Sequence, residues 1–450
     1  MPTSPELLLP AGSLAKMHTA FDFGADAVYA GQPRYSLRAR NNEFSTLSAL
    51  AEGIEGAHGR GRKFYVASNI YAHNAKLSTY LDDMEPVIKM KPDALIMADP
   101  GLIMMVRDKW PETPVHLSVQ ANAINWADVK FWQRMGLSRV ILSRELSLDE
   151  IEEIRQRCPD MEIEVFVHGA LCVAYSGRCL LSGYFNHRDS NQGTCTNSCR
   201  WEYKVTNAKE DPCGDIVQLP IRIRPVAQVG DVQSVAALGG APRHPQADRA
   251  WLIEEGKRPG QLMPMIEDEH GTYILNSKDL RAIEHVERLV KIGVDSLKIE
   301  GRTKSRYYVG RAAQAYRKAV DDAVAGRPFD LKLLGALHGL ANRGYTDGFY
   351  KRHHTQDHQN YLSGVSEMHR SQYVGDVETV RDGWGTVSVK NRFAVGDRLE
   401  LIHPSGCTEM TVKTMRDEAD SPIQVAPGSG HQVRIPLDER WSNAFITRML

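Results

Sequence analysis

Four cysteines, Cys172, Cys179, Cys195 and Cys199, lie close enough in the chain to act as ligands of one metal centre. Six, fifteen and three residues separate them, so none forms the tight CxxC pair of a zinc knuckle. Four thiolates can hold either tetrahedral zinc or a [4Fe–4S] cluster. The irregular gaps, with glycines between the cysteines, favour the iron–sulfur cluster. Zinc and unligated core cysteines remain alternatives, and Cys213 could replace one ligand.

Several residues near the cysteines, or just after predicted strands, are candidates for catalysis or for anion binding. His168 precedes Cys172 by four residues and could be a ligand, a general base or a hydrogen-bond partner of a cluster sulfur. Arginine forks bind carboxylate or phosphate, although each cation taken alone could be ordinary surface charge. We therefore take His168, Arg302 and Lys304 as candidate catalytic residues, and Arg38 and Arg144 as candidate anion-binding residues.

Eight short apolar runs, most of them followed by a helical segment, must position these side chains. Near-continuous runs of this kind indicate buried parallel strands, and eight of them predict a closed (β/α)8 TIM-like barrel. A doubly wound open sheet is the alternative. The runs are Glu6–Leu9, Ala27–Ala30, Phe64–Ala67, Ala94–Ala98, Val115–Val119, Arg139–Leu142, Ile163–Val167 and Ser296–Ile299.

Because barrel active sites lie where the strands end, the polar residues that follow these runs are further candidates. The alternative is that strand ends are polar simply because they meet solvent. This wider set comprises Asn69, Asp99, Gln120, Asn122, Glu145 and Glu300.

The spacing of the runs divides the chain into parts. Residues 1–340 are predicted to form the barrel, with an irregular, partly flexible insertion at about 200–275 between strands seven and eight. An amphipathic helix is predicted over Ser277–Lys291. A linker spans 341–369, and residues 370–450 alternate apolar and polar positions as a small all-β barrel domain does.

Bulk composition narrows the class of protein. The chain has 450 residues and a formal net charge of -1, which argues against a generally basic nucleic-acid coat but permits a local basic face. No signal peptide or membrane-spanning stretch is evident, so a cytoplasmic location and no membrane partner are expected. In a reducing cytoplasm, clustered cysteines indicate metal binding or catalysis rather than disulfides.

The string EVFVHGALCVAYSGRCLLS, which begins at Glu164, resembles the signature of the collagenase-like peptidase family U32. Two further strings match the same family: ELLLPAG near the N-terminus, and SLKIEGRTKS, which begins at Ser296. GQPRYSLRARNNEF, HLSVQANAINWA and DEHGTYILNSKDLRAI extend the likeness, over nearly the whole chain, to a tRNA-hydroxylating branch of that family.

The resemblance implies an oxygen-independent tRNA uridine hydroxylase. It would make 5-hydroxyuridine at the wobble position, the first step towards 5-carboxymethoxyuridine, with prephenate as co-substrate. It implies a [4Fe–4S] cluster on four cysteines, of which Cys172 and Cys179 match the family motif, and the tRNA anticodon loop as partner. Arg38, Arg144, Arg302 or Lys304 would bind the carboxylates of prephenate. A collagenase-like peptidase and a zinc-stapled RNA-binding accessory protein are the alternatives.

Overall fold

A closed ring of eight parallel strands forms the centre of the molecule, as predicted. The computed structural model describes residues 3–37, 43–171, 203–210, 216–218, 251–255, 262–265, 267–268, 271–272, 279–340, 342, 344–351 and 371–449. Strands β1 to β7 pair in chain order, and β15 pairs with both β7 and β1, which closes the ring. The barrel strands are β1 (Glu6–Pro10), β2 (Ala27–Gly31), β3 (Lys63–Ser68), β4 (Ala94–Met97), β5 (Val115–Leu117), β6 (Arg139–Ile141), β7 (Glu162–Ala170) and β15 (Ser296–Ile299).

Helices follow most barrel strands, and short polar side chains begin many of them. Ser13, Asp99 and Ser305 each accept a hydrogen bond from a backbone N–H of the first turn. Ser147 and Glu150 form the reciprocal capping box that their spacing indicates. The helices are α1 (Leu14–Asp22), α2 (Leu47–His58), α3 (Asn74–Lys89), α4 (Pro100–Lys109), α5 (Trp126–Arg134), α6 (Leu148–Arg157), α7 (Val286–Ile292), α8 (Arg306–Val324) and α9 (Lys332–His338).

The segment between β7 and β15 differs from its prediction in two ways. Its described part is more regular than expected, because four of its strands form an antiparallel sheet in the order β11-β10-β8-β9. The helix predicted over Ser277–Lys291 is wrong in its first half, since Asp279–Arg281 pairs antiparallel with the end of β7. The strands are β8 (Tyr203–Glu210), β9 (Ile216–Gln218), β10 (Trp251–Glu255), β11 (Leu262–Met265), β12 (Glu267–Asp268), β13 (Gly271–Thr272), β14 (Asp279–Arg281) and, after α9, β16 (Tyr345–Thr346).

The C-terminal region is antiparallel and all-β, as predicted. Six of its strands form one sheet in the order β21-β20-β24-β17-β18-β23 over a separate apolar core. The strands are β17 (Ser371–Arg381), β18 (Trp384–Val389), β19 (Phe393–Ala394), β20 (Arg398–His403), β21 (Gly406–Thr411), β22 (Val425–Ala426), β23 (Gln432–Pro436) and β24 (Phe445–Met449).

This region packs on the outer face of α1 and α8. Tyr307 stacks on Tyr373 with a centroid distance of 4.7 Å, and Phe23 stacks on Phe445 at 5.6 Å. The Arg311 guanidinium lies 2.8 Å from Glu400 Oε1 in the same contact. The all-β region is thus fixed to the side of the barrel rather than placed across its mouth.

Candidate active site at the C-terminal mouth of the barrel

The four predicted metal ligands, Cys172, Cys179, Cys195 and Cys199, lie outside the described residues, and so does Arg38. The structure does show where the cysteine segment starts. Leu171 directly follows β7, so the chain enters this segment at the C-terminal mouth of the barrel. Among the described residues, no group of three His, Cys, Asp or Glu side chains could hold a metal ion.

Arg144, just past β6, lies against the neighbouring strand β7. Its guanidinium carbon is 3.9 Å from the centroid of the Phe166 ring, and Nη1 donates to the Ala170 carbonyl at 2.9 Å. Nη2 is 3.8 Å from Glu300 Oε2, and the side chain is only 9% exposed. Nε is buried and has no acceptor among the described residues. Arg144 therefore offers an oriented donor group to an anion.

Glu300 and Arg302 follow β15 and bring two further charges to the mouth. Tyr29 Oη lies 3.1 Å from the Ile299 carbonyl oxygen and 3.3 Å from Glu300 Oε2, so its single proton is shared between these two acceptors. Burial, together with the charge of Glu300, raises the pKa of Tyr29 well above its usual value, so the phenol stays protonated. Arg302 Nη1 donates to Ser36 Oγ at 2.9 Å and is buried.

The close approach of Arg302 to β2 requires a glycine. A Cβ at Gly31 would lie 2.7 Å from Arg302 Nη1 and 2.4 Å from Ser36 Oγ. A side chain there would move the arginine, or the loop that leads towards residues 38–42. Arg302 therefore connects the end of β15 to the loop after β2 and helps to fix the position of that loop at the mouth.

His168 is buried beneath the surface of the mouth and is not exposed to a substrate there. It is 1% exposed, and the rings of Tyr308, Tyr316 and Tyr345 surround it at centroid distances of 5.5–5.7 Å. Nδ1 is 3.4 Å from Tyr316 Oη, while Nε2 is buried without a partner among the described residues. This placement favours the hydrogen-bonding role over the general-base role among the alternatives above.

The charge state of His168 supports that role. Burial, helped by the positive charges of Lys304 and Arg281, lowers its pKa to about 3. Lys304 Nζ is itself 3.8 Å from Asp279 Oδ2 and 5.2 Å from the Tyr308 ring centroid. A neutral imidazole at working pH can accept or donate a hydrogen bond, but it is a weak proton acceptor.

We expect this burial to make stability fall in mild acid. The unfolded imidazole of His168, with a pKa near 6.5, takes up a proton that the folded one does not. The contribution of this group to the free energy of unfolding is therefore fully present above pH 6.5. At pH 5, about 2 kcal/mol of it is lost. Thermal unfolding midpoints at pH 7 and pH 5 should differ less in His168→Asn than in the wild type. Equal differences in the two proteins would contradict the assignment.

A buried ion network fills the barrel beneath the mouth, and sequence reasoning missed it. Glu164 Oε1 is 2.7 Å from Lys298 Nζ, and Glu164 Oε2 is 3.0 Å from Arg139 Nη1. The same Arg139 nitrogen is 2.6 Å from Glu6 Oε1, and Tyr65 Oη donates to Glu6 Oε2 at 2.7 Å. The signal in the sequence is the charged residues inside apolar strands, in ELLLP, RVI, EIEVFVHGA and SLKI.

The network places the ammonium group of Lys298, paired with Glu164, beside two aromatic rings near the mouth. Lys298 Nζ lies 4.4 Å from the Tyr29 ring centroid and 5.5 Å from that of Phe166. Burial lowers the pKa of Lys298, against the opposing effect of Glu164. For Glu6, burial alone would raise the pKa, but the charge and hydrogen bond of Arg139 hold it below its usual value.

The five other strand-end candidates make contacts within the protein. Asp99 Oδ1 accepts from Gly101 and Leu102 as the cap of α4, and its Oδ2 accepts from the Ala72 N–H. Asn69 Oδ1 accepts from the Leu37 N–H, and Gln120 Oε1 accepts from Ser118 Oγ. Asn122 adopts a left-handed conformation with φ of 54°. Its Oδ1 lies 3.4 Å from Ser143 Oγ, which donates to Glu145.

Sequence comparison identifies the family. The model described as "Peptidase family U32" matches residues 12–360, and "Peptidase family U32 C-terminal domain" matches residues 369–448. The chain belongs to peptidase family U32. Similar U32 relatives include "tRNA hydroxylation protein P" of Escherichia coli strain K12, 60% identical over 97% of this chain and 94% of that protein. The Haemophilus influenzae protein of the same name is 55% identical over 99% of this chain and 96% of its own.

A more distant U32 relative acts on a different RNA. The "23S rRNA 5-hydroxycytidine C2501 synthase" of Escherichia coli strain K12 is 26% identical over 98% of this chain and 60% of that protein. The names of these relatives thus join hydroxylation to two kinds of RNA. As a separate finding, none of the helices in the described residues has the length and hydrophobicity needed to cross a membrane.

Proposed function

We propose that this protein is an enzyme of tRNA modification that hydroxylates C5 of the wobble uridine. The product would be 5-hydroxyuridine, the first step of 5-carboxymethoxyuridine synthesis, and prephenate would be the co-substrate. The main support is the similarity, 60% and 55% identity over nearly the whole chain, to two proteins named for tRNA hydroxylation. The structure adds a buried, oriented arginine, Arg144, at the mouth where the cysteine segment begins.

The proposed cofactor is a [4Fe–4S] cluster on Cys172, Cys179, Cys195 and Cys199. Four thiolates are the usual donor set of such a cluster, and the segment that carries them leaves β7 beside Arg144 and Glu300. When bound, the cluster would supply electron transfer or activation of the oxygen donor. His168, four residues before Cys172, would stabilise the end of β7 from within its tyrosine cage.

For the co-substrate, we assign the direct carboxylate contact to Arg144. Arg302 is bonded to Ser36, and Lys304 faces Asp279, so these two side chains would mainly shape the mouth and add positive charge. Arg38 stays a candidate for the second carboxylate. The support for a small organic anion is that Arg144 is buried and oriented, while its nearest carboxylate, Glu300, lies 3.8 Å away and leaves donors for a ligand.

The RNA part of the proposal follows from the depth of this site. A uridine at the mouth of a barrel must leave its stack, and loop nucleotides such as those of the anticodon do so at low cost. With a formal net charge of -1, the protein would use a local basic face rather than a general one to hold the tRNA backbone.

Peptidase activity has less support, although the family carries that name. Neither cysteine among the described residues is placed as a nucleophile: Cys158 Sγ donates to the Trp126 carbonyl, and Cys407 Sγ is 3.0 Å from Arg311 Nη1. Burial raises the pKa of both thiols, which disfavours the reactive thiolate. In the part of the chain that the structure describes, the rings of three tyrosines enclose His168.

Nucleoside analysis of tRNA from cells that lack this protein tests the proposal. We expect 5-hydroxyuridine and its derivatives to disappear, and to return with the wild-type gene. Arg144→Gln should restore much less, whereas Arg34→Gln, which changes an exposed arginine paired with Asp83, should restore the full amount. Unchanged tRNA nucleosides in the deletion strain would refute the function.

A further inference from the structure

The guanidinium of Arg144 has more donors than the described residues use. An arginine carries five N–H groups in a rigid fork. Nη1 donates to the Ala170 carbonyl at 2.9 Å, while Nε is buried without an acceptor. Buried donors are normally paired, so an unpaired one in a side chain only 9% exposed indicates a ligand position.

Glu300 balances the charge of Arg144 without saturating it. The distance from Arg144 Nη2 to Glu300 Oε2 is 3.8 Å, whereas a charge-assisted hydrogen bond is about 2.7–2.9 Å long. Tyr29 Oη, 3.3 Å from the same carboxylate oxygen, keeps Glu300 on its own side of the mouth. The two charges are thus close enough to attract each other, but the atoms are too far apart for a bidentate hydrogen-bonded pair.

The surroundings of Arg144 restrict how a ligand can approach. Phe166 covers one flat face of the guanidinium at 3.9 Å, which fixes its plane. An anion must therefore reach the edge that carries Nε and Nη2. That edge is complementary to a planar carboxylate, which accepts two parallel N–H bonds.

We infer that Arg144 is a carboxylate-binding site whose affinity for anions the nearby charge of Glu300 lowers. A small organic acid binds the free guanidinium edge, and Glu300 stays beside Tyr29. The inference rests on the proposed function only in naming prephenate, the proposed co-substrate, as the acid that binds. It assigns to Glu300 the role of an internal competitor, which no sequence pattern indicated.

Calorimetric titration of the full-length protein with prephenate, and separately with phenylpyruvate, tests this. Glu300→Gln keeps an oxygen for Tyr29 but removes the competing charge, so both acids should bind about three- to tenfold more tightly. Arg144→Lys keeps the charge and loses the fork, so affinity should fall at least about tenfold. Thermal midpoints would confirm that both variants are folded.

Glu145→Gln is the matched control, because it removes the same charge from the neighbouring loop, where Ser143 is the partner. It should change affinity less than about twofold. If Glu145→Gln and Glu300→Gln raise the affinity for the acids equally, the effect is one of general electrostatics and the inference is overturned. Unchanged affinity in Glu300→Gln would overturn it as well. A protein that binds acids as expected but leaves tRNA unmodified would refute the proposed function alone.

Discussion

Arg139→Met is expected to destabilise the barrel by about 3–5 kcal/mol, the cost of removing one partner from a buried ion network. Arg139 is 3% exposed and contacts the carboxylates of Glu164, which is fully buried, and of Glu6, which is 9% exposed. Although burial lowers the pKa of Arg139, those two carboxylates outweigh it and raise the net value, so the guanidinium stays charged. Thermal and urea unfolding would measure the loss.

The matched control for this prediction is Arg34→Met. Arg34 also forms an ion pair, with Asp83 at 2.7 Å, but its side chain is 52% exposed, and such pairs contribute about 0–1 kcal/mol. Adding Glu6→Gln to Arg139→Met should recover part of the loss, because it removes the charge of a carboxylate that has lost its contact with Arg139. Similar losses in Arg139→Met and Arg34→Met would show that the network is not a buried structural element.

Cys179→Ala is expected to remove the cofactor completely. A four-thiolate cluster that loses one ligand is exposed to solvent and oxidation, so iron should fall from about four atoms per chain to near zero. Iron and sulfide analysis, with the visible absorption of anaerobically purified protein, would measure this. Cys158→Ala is the control, since Cys158 is buried against the Trp126 carbonyl and should keep the iron.

Metal analysis of the same proteins separates the alternatives. Zinc in place of iron, with tRNA binding intact and no modification, would support the zinc-stapled accessory protein instead. Wild-type iron content in Cys179→Ala would mean that Cys179 is not a ligand, and Cys213 would then be the next residue to test.

Much of the fold could be predicted from the sequence because buried parallel strands leave a strong local signal. Runs such as ELLLP and AVYAG are apolar on both faces, and capped helices follow them. Asp279–Arg281 is different, because its strand depends on pairing with β7, which is distant in the chain. Periodicity reports local preference, and here a tertiary contact overrides it.

The candidate site was predictable in position but not in detail. The rule that barrel sites follow the strands located Arg144, Arg302 and Lys304 at one mouth. The rule could not show that Arg144 has a buried donor without an acceptor among the described residues, whereas Arg302 is hydrogen-bonded to Ser36. The hydrogen-bond partners of both arginines lie on other parts of the barrel, which sequence position does not reveal. The ion network of Glu164 and Lys298 was missed since charged residues inside strands usually face solvent.

The most direct test of the account is an anaerobic reaction of the purified, iron-loaded protein with tRNA and prephenate. We predict one added oxygen at the wobble uridine, found by mass spectrometry only when both substrates and the cluster are present. Full activity in a colourless, metal-free preparation would contradict the account. So would an iron-loaded protein that leaves that uridine unchanged with both substrates supplied.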